Sequence, residues 1–107
     1  MRKPFVTSLK EGDRYQRLVQ GVTDSCGIKS GFVTLKPAES VGEHVTEAKE
    51  EVIIFLSGKA TVSYGDGRSM NAEAPSVVYM PPETKHDVVN IGSDILRYVF
   101  VTSPVKI

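Results

Sequence analysis

The sequence predicts an all-β protein, either a sandwich or a barrel, and three observations lead to that prediction. Some short segments alternate apolar with polar residues, as KATVSY does at 59–64. Others are dense in β-branched and aromatic side chains, as VIIFL is at 52–56. Turn residues separate the segments roughly every 8 to 12 positions, a spacing typical of sandwiches and barrels. We therefore expect one core enclosed by about eight short strands.

The strand candidates follow one another from position 15 to position 102 with turn residues between them. The run Gly65-Asp66-Gly67 supplies the residues that tolerate the positive φ of a tight hairpin turn. Residues 1–13 mix charge with Pro4, Gly12 and a brief apolar alternation, which fits either an N-terminal arm or an edge strand. The predicted segments are 15–22, 31–36, 52–56, 59–64, the return segment 68–75, 76–80, 86–91 and 95–102.

The stretch GEHVTEAKEEVIIFLSG, residues 42–58, allows two interpretations. As a helix, it contains good helix formers and places His44, Ala48 and Glu51 on one face. As β structure, His44 and Thr46 share a face, a polar turn follows, and 52–56 forms a strand. We favour β because VIIFL ends after too few residues for a helix. Both faces of that strand are apolar, which predicts a central strand covered on both sides.

The composition predicts one compact domain spanning residues 1–107. Its 13 basic and 13 acidic residues balance, and 40% of the residues are hydrophobic, so disorder is excluded. Without an excess of positive charge, we expect neither nucleic acid nor membrane as a partner. The basic start MRKPF leads into no apolar stretch of signal-peptide length, and Cys26 is the single cysteine. A cytoplasmic location is the expectation.

Two histidines and a carboxylate form the chemically informative pattern of this chain. His44 lies shortly before Glu51, and His86 begins a later predicted strand. Three such side chains on a rigid β scaffold make the 2-His-1-carboxylate set, which suits Fe(II) and also Zn, Mn, Ni or Co. Taken singly, each histidine is more often a hydrogen-bonded or exposed residue than a metal ligand.

These residues and their spacing resemble the two sequence motifs of the cupin superfamily. His44, Glu51 and Gly58 follow the first motif, with six residues between Glu51 and Gly58. Pro81, His86 and Asn90 follow the second. The resemblance covers residues 37–90 and implies an antiparallel jelly-roll barrel, also called a double-stranded β-helix.

The chain departs from the cupin motifs at several positions. Thr46 stands where the family has its second histidine. Ala38 and Pro75 replace the glycines that open the two motifs, and Glu83 replaces the glycine that follows Pro81. The resemblance therefore implies a divalent transition metal, Fe, Mn, Ni, Zn or Cu, held by three residues with Thr46 or a water as a weak fourth ligand. The three implied ligands are His44, Glu51 and His86.

The resemblance leaves two kinds of function open. The first is a metal-dependent enzyme of dioxygenase, isomerase or lyase type, acting on a small polar molecule inside the barrel. A divalent ion held by two neutral imidazoles and one carboxylate keeps positive charge and can polarise a chelating oxyanion. The second is a non-catalytic module that binds or senses a small molecule, which the replacement of a histidine by Thr46 favours. Neither interpretation assigns a catalytic side chain.

A homodimer is the expected assembly. Small cupins commonly form dimers, and the doubly apolar strands at 52–56 and 95–102 offer more β surface than one small barrel covers. The arm around Phe5 to Leu9 would then add to the partner's sheet edge.

Overall fold

The computed structural model describes residues 2–106 as nine β-strands and one short 3-10 helix. None of its helices is long and apolar enough to cross a membrane within these residues. The strands are β1 (Tyr15–Gln20), β2 (Lys29–Leu35), β3 (His44–Val45), β4 (Lys49–Ser57), β5 (Lys59–Tyr64), β6 (Arg68–Glu73), β7 (Ser76–Met80), β8 (Lys85–Asn90) and β9 (Leu96–Pro104); the 3-10 helix is Gly21–Thr23.

Two antiparallel sheets face one another across a single core. The five-stranded sheet has the order β1-β2-β9-β4-β7, and the four-stranded sheet has the order β3-β8-β5-β6. Neighbours in each sheet are mostly distant in sequence, since β4 passes between β9 and β7 and β8 lies between β3 and β5. This arrangement confirms the predicted all-β fold of double-stranded β-helix, or jelly-roll, type.

Two glycine turns set the positions of β4, β5 and β6. Gly58 has a φ of 96°, and a Cβ there would lie 3.0 Å from the Ile95 carbonyl oxygen, so only glycine allows this close approach. The β5–β6 hairpin turns through Gly65 and Gly67, whose φ values are 61° and 74°. The predicted hairpin at this glycine pair is therefore confirmed.

The core lies between the inner faces of the two sheets. On β4, every second residue from Glu51 through Ile53 to Phe55 is buried. The opposite face of β4 is less covered, and Leu56 is 46% exposed. The expectation that this strand is covered on both sides is thus wrong within one chain, because a two-layer sandwich packs only one face of each sheet.

The N-terminal residues 2–14 form no strand and run as an irregular arm beside β1. The Gln16 side chain donates to the Ser8 carbonyl and accepts from the Lys10 N–H, which ties the arm to β1. Arg2 donates to the carbonyl of Ser25 in the loop after the 3-10 helix. Phe5 and Leu9 of the arm remain about half exposed.

Candidate metal centre

The two sheets bring His44, Glu51 and His86 together at one end of the sandwich. His44 on β3 pairs directly with His86 on β8, and their ring centroids are 4.1 Å apart. Glu51 comes from the inner face of β4 in the opposite sheet, with Oε1 at 3.1 Å from Nε2 of His86. One ligand atom from each residue lies within 4.8 Å of the others. The predicted trio therefore converges from two sheets and three strands.

Both histidines are held in the same tautomer by the backbone. Nδ1 of His44 donates to the Gly42 carbonyl at 3.0 Å, and Nδ1 of His86 donates to the Thr84 carbonyl at 3.1 Å. Because a carbonyl oxygen only accepts, each neutral ring carries its proton on Nδ1 and presents a bare Nε2. Metal-binding histidines are oriented in this way by outer hydrogen-bond partners.

The Nε2 atom of His86 is buried and lacks a hydrogen-bond partner among residues 2–106. In the neutral tautomer its lone pair faces the carboxylate oxygen of Glu51, so nothing stabilises the contact until a cation lies between the two atoms. A proton fulfils that role in part. Burial lowers the pKa of His86, but Glu51 and the Thr84 carbonyl raise it by more, so the pKa is above its ordinary value. The donor set therefore fits a divalent metal ion.

Thr46, which the resemblance implies as a weak fourth metal ligand, is buried, and its hydroxyl is hydrogen-bonded to the backbone. Its hydroxyl donates to the Pro81 carbonyl at 2.7 Å and accepts from the N–H of Thr84 at 2.9 Å. These bonds join the turn after β3 to the turn before β8. Through these two bonds Thr46 fixes the turns that carry the two histidines.

Left-handed backbone conformations occur in the same two turns. Glu47 has a φ of 58° and Glu83 a φ of 54°, and the N–H of Glu83 donates to the carbonyl of Glu47 at 2.8 Å. Ala38 also has a positive φ, of 72°. Ala38 and Glu83 are two of the positions where the resemblance implies glycine, and both have the left-handed backbone conformation that glycine adopts most readily.

A cavity of about 510 Å³ opens directly above the cluster. It lies between the inner faces of the sheets and includes Tyr98, whose pKa is raised by burial and then by the Glu51 charge. A neutral Tyr98 hydroxyl can donate a hydrogen bond into the cavity. The lining residues are Tyr15, Arg17, Lys29, Val33, Val41, His44, Val45, Thr46, Glu47, Lys49, Glu51, Ile53, His86, Val88, Tyr98, Phe100 and Thr102.

Other polar residues of the sequence lie away from this cavity. Glu50, the neighbour of Glu51, faces the other side of the sheet, where it accepts a hydrogen bond from the Tyr79 hydroxyl at 2.8 Å. Cys26 is exposed in the loop between β1 and β2. The sequence-based prediction did not single out the cationic wall of the cavity, Arg17, Lys29 and Lys49. Lys49 and Lys29 could have been found from the sequence, because side chains alternate along a strand and these two share the face of Glu51 and Val33. The position of Arg17 could not, because it depends on the register between β1 and β2.

Comparison with known families decides the classification. The family model of the cupin domain matches residues 31–102 of the sequence, a range that includes all three members of the cluster. The chain belongs to the cupin family. This cupin is 30% identical over 105 residues to a polyketide synthase, CurC, from Streptomyces cyaneus. The alignment covers 95% of the chain and 66% of that relative, slightly under two thirds of its length.

Solved cupin structures share the fold over nearly the whole chain. A cupin 2 conserved barrel domain protein from Salinispora arenicola superposes with a TM-score of 0.75 at 25% identity, covering 94% of this cupin and 92% of that chain. A cupin family protein with a double-stranded β-helix fold from Methanocaldococcus jannaschii gives 0.76 at 23% identity, covering 94% and 91%. The cupin domain of Cnp3 from Schizosaccharomyces pombe gives 0.78 at 14% identity, covering 92% and 70%. At the two lower identities, the likeness concerns the fold alone.

Proposed function

We propose that this cupin binds a divalent transition metal through His44, Glu51 and His86 and acts as a metal-dependent enzyme on a small polar molecule in the cavity. The observation that carries the proposal is the bare, buried Nε2 of His86, 3.1 Å from Oε1 of Glu51. A buried imidazole nitrogen that faces a carboxylate oxygen costs free energy unless a proton or a metal ion lies between the two atoms. A bound divalent metal supplies a Lewis acid there.

The residues around the cluster define what the cavity does to a ligand. Val33, Ile53 and Val88 make one part of its wall apolar, which excludes water from a bound molecule. The Tyr98 hydroxyl offers a proton donor, and Glu47 lies at the rim. With only three protein ligands, a bound ion keeps open positions for two oxygens of one molecule. The chain is thus arranged to hold an oxygen-chelating substrate and orient it.

The likeness to a polyketide synthase supports a particular class of substrate. Polyketides carry carbonyl groups on alternate carbons, and the enolate of such a 1,3-dicarbonyl binds a divalent ion through two oxygens. We therefore place 1,3-dicarbonyl compounds first among the candidates, within the dioxygenase, isomerase or lyase classes of reaction. The relative is longer than the alignment, so its name alone does not transfer an activity.

Elemental analysis of protein purified without added metal tests the site. We expect close to one equivalent of Fe, Mn, Ni, Zn or Cu per chain, and its loss in His44→Ala and His86→Ala. Glu50→Gln is the matched control, because Glu50 neighbours Glu51 but faces the opposite side of the sheet. A parent protein that takes up none of these metals even after loading contradicts the proposal.

A non-catalytic binding role is the second candidate, and the state of Thr46 favours it. The hydroxyl of Thr46 is committed to Pro81 and Thr84, so this chain offers one ligand fewer than the motif it resembles. A binding module retains a 1,3-dicarbonyl unchanged when the metal-loaded protein is incubated with it. Consumption of the compound, dependent on His44, supports the enzyme instead.

We also propose that the chain forms a homodimer through the outer face of the five-stranded sheet. On the edge strand β7, Val77 is 65% and Tyr79 is 53% exposed, next to the 46% exposed Leu56 of β4. Such an apolar face on an edge strand is suited to a second copy. Light scattering at micromolar concentration should give a dimer that Val77→Lys dissociates, whereas Ile91→Lys, at a half-exposed loop position, does not. A monomeric wild-type protein contradicts this.

A cytoplasmic location is proposed on the strength of the single cysteine. Cys26 is free and exposed, and a lone exposed thiol is best preserved in a reducing compartment. Fractionation of the producing cells should recover the protein with the cytoplasmic markers. Recovery in a secreted fraction contradicts the proposal.

A further inference from the structure

The wall of the cavity opposite the histidines carries three cationic side chains. Register places Lys29 beside Thr102 and Thr102 beside Glu51, so these three residues form one row across β2, β9 and β4. Arg17 lies opposite Gly31 on the same inner face, two positions along β2 from Lys29. Lys49 precedes Glu51 by two residues and shares its face. The cations therefore border the same cavity as the metal cluster.

These cations are not neutralised by the protein. None of the three has an ion-pair partner among residues 2–106. Arg17 makes only a long 3.4 Å contact to the Gln20 side chain. The cavity contains three basic residues against the carboxylates of Glu47 and Glu51, although the whole chain is balanced. A cavity with this excess favours an anionic ligand.

An aromatic pair lies between the cations and the core. The rings of Tyr15 and Phe100 stack with centroids 6.1 Å apart and an interplanar angle of 18°, and both line the cavity. They cross β2 at Gly31, where a Cβ would lie 2.5 Å from Cε1 of Tyr15 and 2.7 Å from Cε2 of Phe100. A side chain there would displace both rings. The chain thus keeps a flat, partly exposed aromatic surface next to its unpaired cations.

We infer that this wall is a second subsite, which binds the anionic end of a planar aromatic molecule. This inference rests on the proposed function, because the far end of the same molecule carries the oxygens that reach the metal cluster. Lys29 and Glu51 are two strand spacings apart, so their backbones are separated by about 10 Å, and we propose this as the span between the anionic group and the chelating oxygens. That length matches two fused aromatic rings with substituents at opposite ends.

Binding to metal-free protein tests the subsite apart from the metal. The probes are naphthoate, which has the anion, and naphthylmethanol, which has the same rings without charge. The chain has no tryptophan, so the fluorescence of the naphthalene ring can be followed directly. We expect naphthoate to bind more tightly than the alcohol and to lose affinity as salt is raised.

Substitutions assign that binding to the wall. Arg17→Gln and Lys29→Gln should each weaken naphthoate binding about fivefold, since each removes one charge-assisted contact made by an exposed side chain. They should leave naphthylmethanol unchanged. Arg68→Gln, at an exposed arginine on β6, is the matched control and should change neither probe. Equal affinity for both probes, or an equal loss in Arg68→Gln, overturns the subsite.

A third measurement separates failure of the subsite from failure of the proposed function. A dihydroxynaphthoate with its hydroxyls and its carboxylate on opposite rings should bind metal-loaded protein at least tenfold more tightly than metal-free protein, by chelation. If naphthoate binds as expected but metal does not increase the affinity for the dihydroxynaphthoate, the proposed separation between the subsite and the metal is wrong. The anion subsite is then still supported. If no metal is taken up at all, the proposed function fails and the naphthoate result alone decides the subsite.

Discussion

Two buried polar residues on the same face of β8 show how the two ends of this cupin differ. Asn90 does not line the cavity and lies at the other end, which we call the closed end; it donates to the carbonyls of Leu35 and Asp94 and accepts from the N–H of Gly92, at 2.9 to 3.0 Å. His86, four residues earlier, lines the cavity at what we call the open end, and in its neutral form Nε2 has no hydrogen-bond partner among residues 2–106. Both residues are 1% exposed. Asn90 is thus used to complete the fold, whereas the fold leaves His86 available for a ligand.

The largest expected effect is the loss of stability when the hydrogen bonds of Asn90 at the closed end are removed. Asn90→Ala removes three hydrogen bonds and leaves the buried carbonyl of Leu35 unpaired, so the free energy of unfolding should fall by roughly 3 kcal/mol. Urea denaturation measures it. The control is Asn71→Ala, which removes one bond to Thr61 on the exposed surface and should cost under about 0.5 kcal/mol. Equal losses would show that Asn90 has no special role.

Added metal should increase the stability of the protein only through the metal cluster at the open end. At a free metal concentration of about 100 times the dissociation constant, the wild-type protein should gain about 2.7 kcal/mol in unfolding free energy. His44→Ala should gain nothing, since His44 is exposed and contributes to stability chiefly through the metal. Asn90→Ala should keep the full gain while starting from a lower value. A gain that survives in His44→Ala contradicts the assignment of His44.

The turns that join the two histidine strands should give an intermediate effect. Thr46→Val keeps the shape but loses both hydroxyl bonds, which should cost about 2 kcal/mol and weaken metal binding about tenfold by loosening the histidines. Thr46→Ser should restore both values. Metal loss in Thr46→Val as complete as in His44→Ala would instead make Thr46 a direct ligand.

The smallest expected effect is a gain in stability from relieving backbone strain. Glu83→Gly removes a side chain from a left-handed position and should raise the free energy of unfolding by about 0.5–1 kcal/mol. Thermal denaturation of the metal-free protein measures it. Glu83→Ala removes the carboxylate but keeps the Cβ, so it should show no such gain. If both variants are equally stabilised, the carboxylate and not the backbone is responsible.

Much of the fold could be predicted because its signals are local. The alternation of KATVSY and the glycines at 65 and 67 place β5 and its hairpin within a residue or two of the observed bounds. The predicted strand at 52–56 is three residues short at its start, because a polar turn is expected shortly before it, whereas Lys49, Glu50 and Glu51 already pair with β9. The short strand β3 cannot be predicted from a local sequence pattern, because it has only two residues and is defined by its pairing with β8.

By itself, the sequence determined which residues could form a metal site and how they are spaced along the chain. His44, Glu51 and His86 follow from residue type and from the resemblance to the two cupin motifs, and both are properties of a linear string. Only the tertiary structure decided that Thr46 is tied into the turns and that Lys29 lies in one row with Glu51. The physical reason is that hydrogen-bond partners and strand register join residues far apart in sequence, where period-two patterns carry no information.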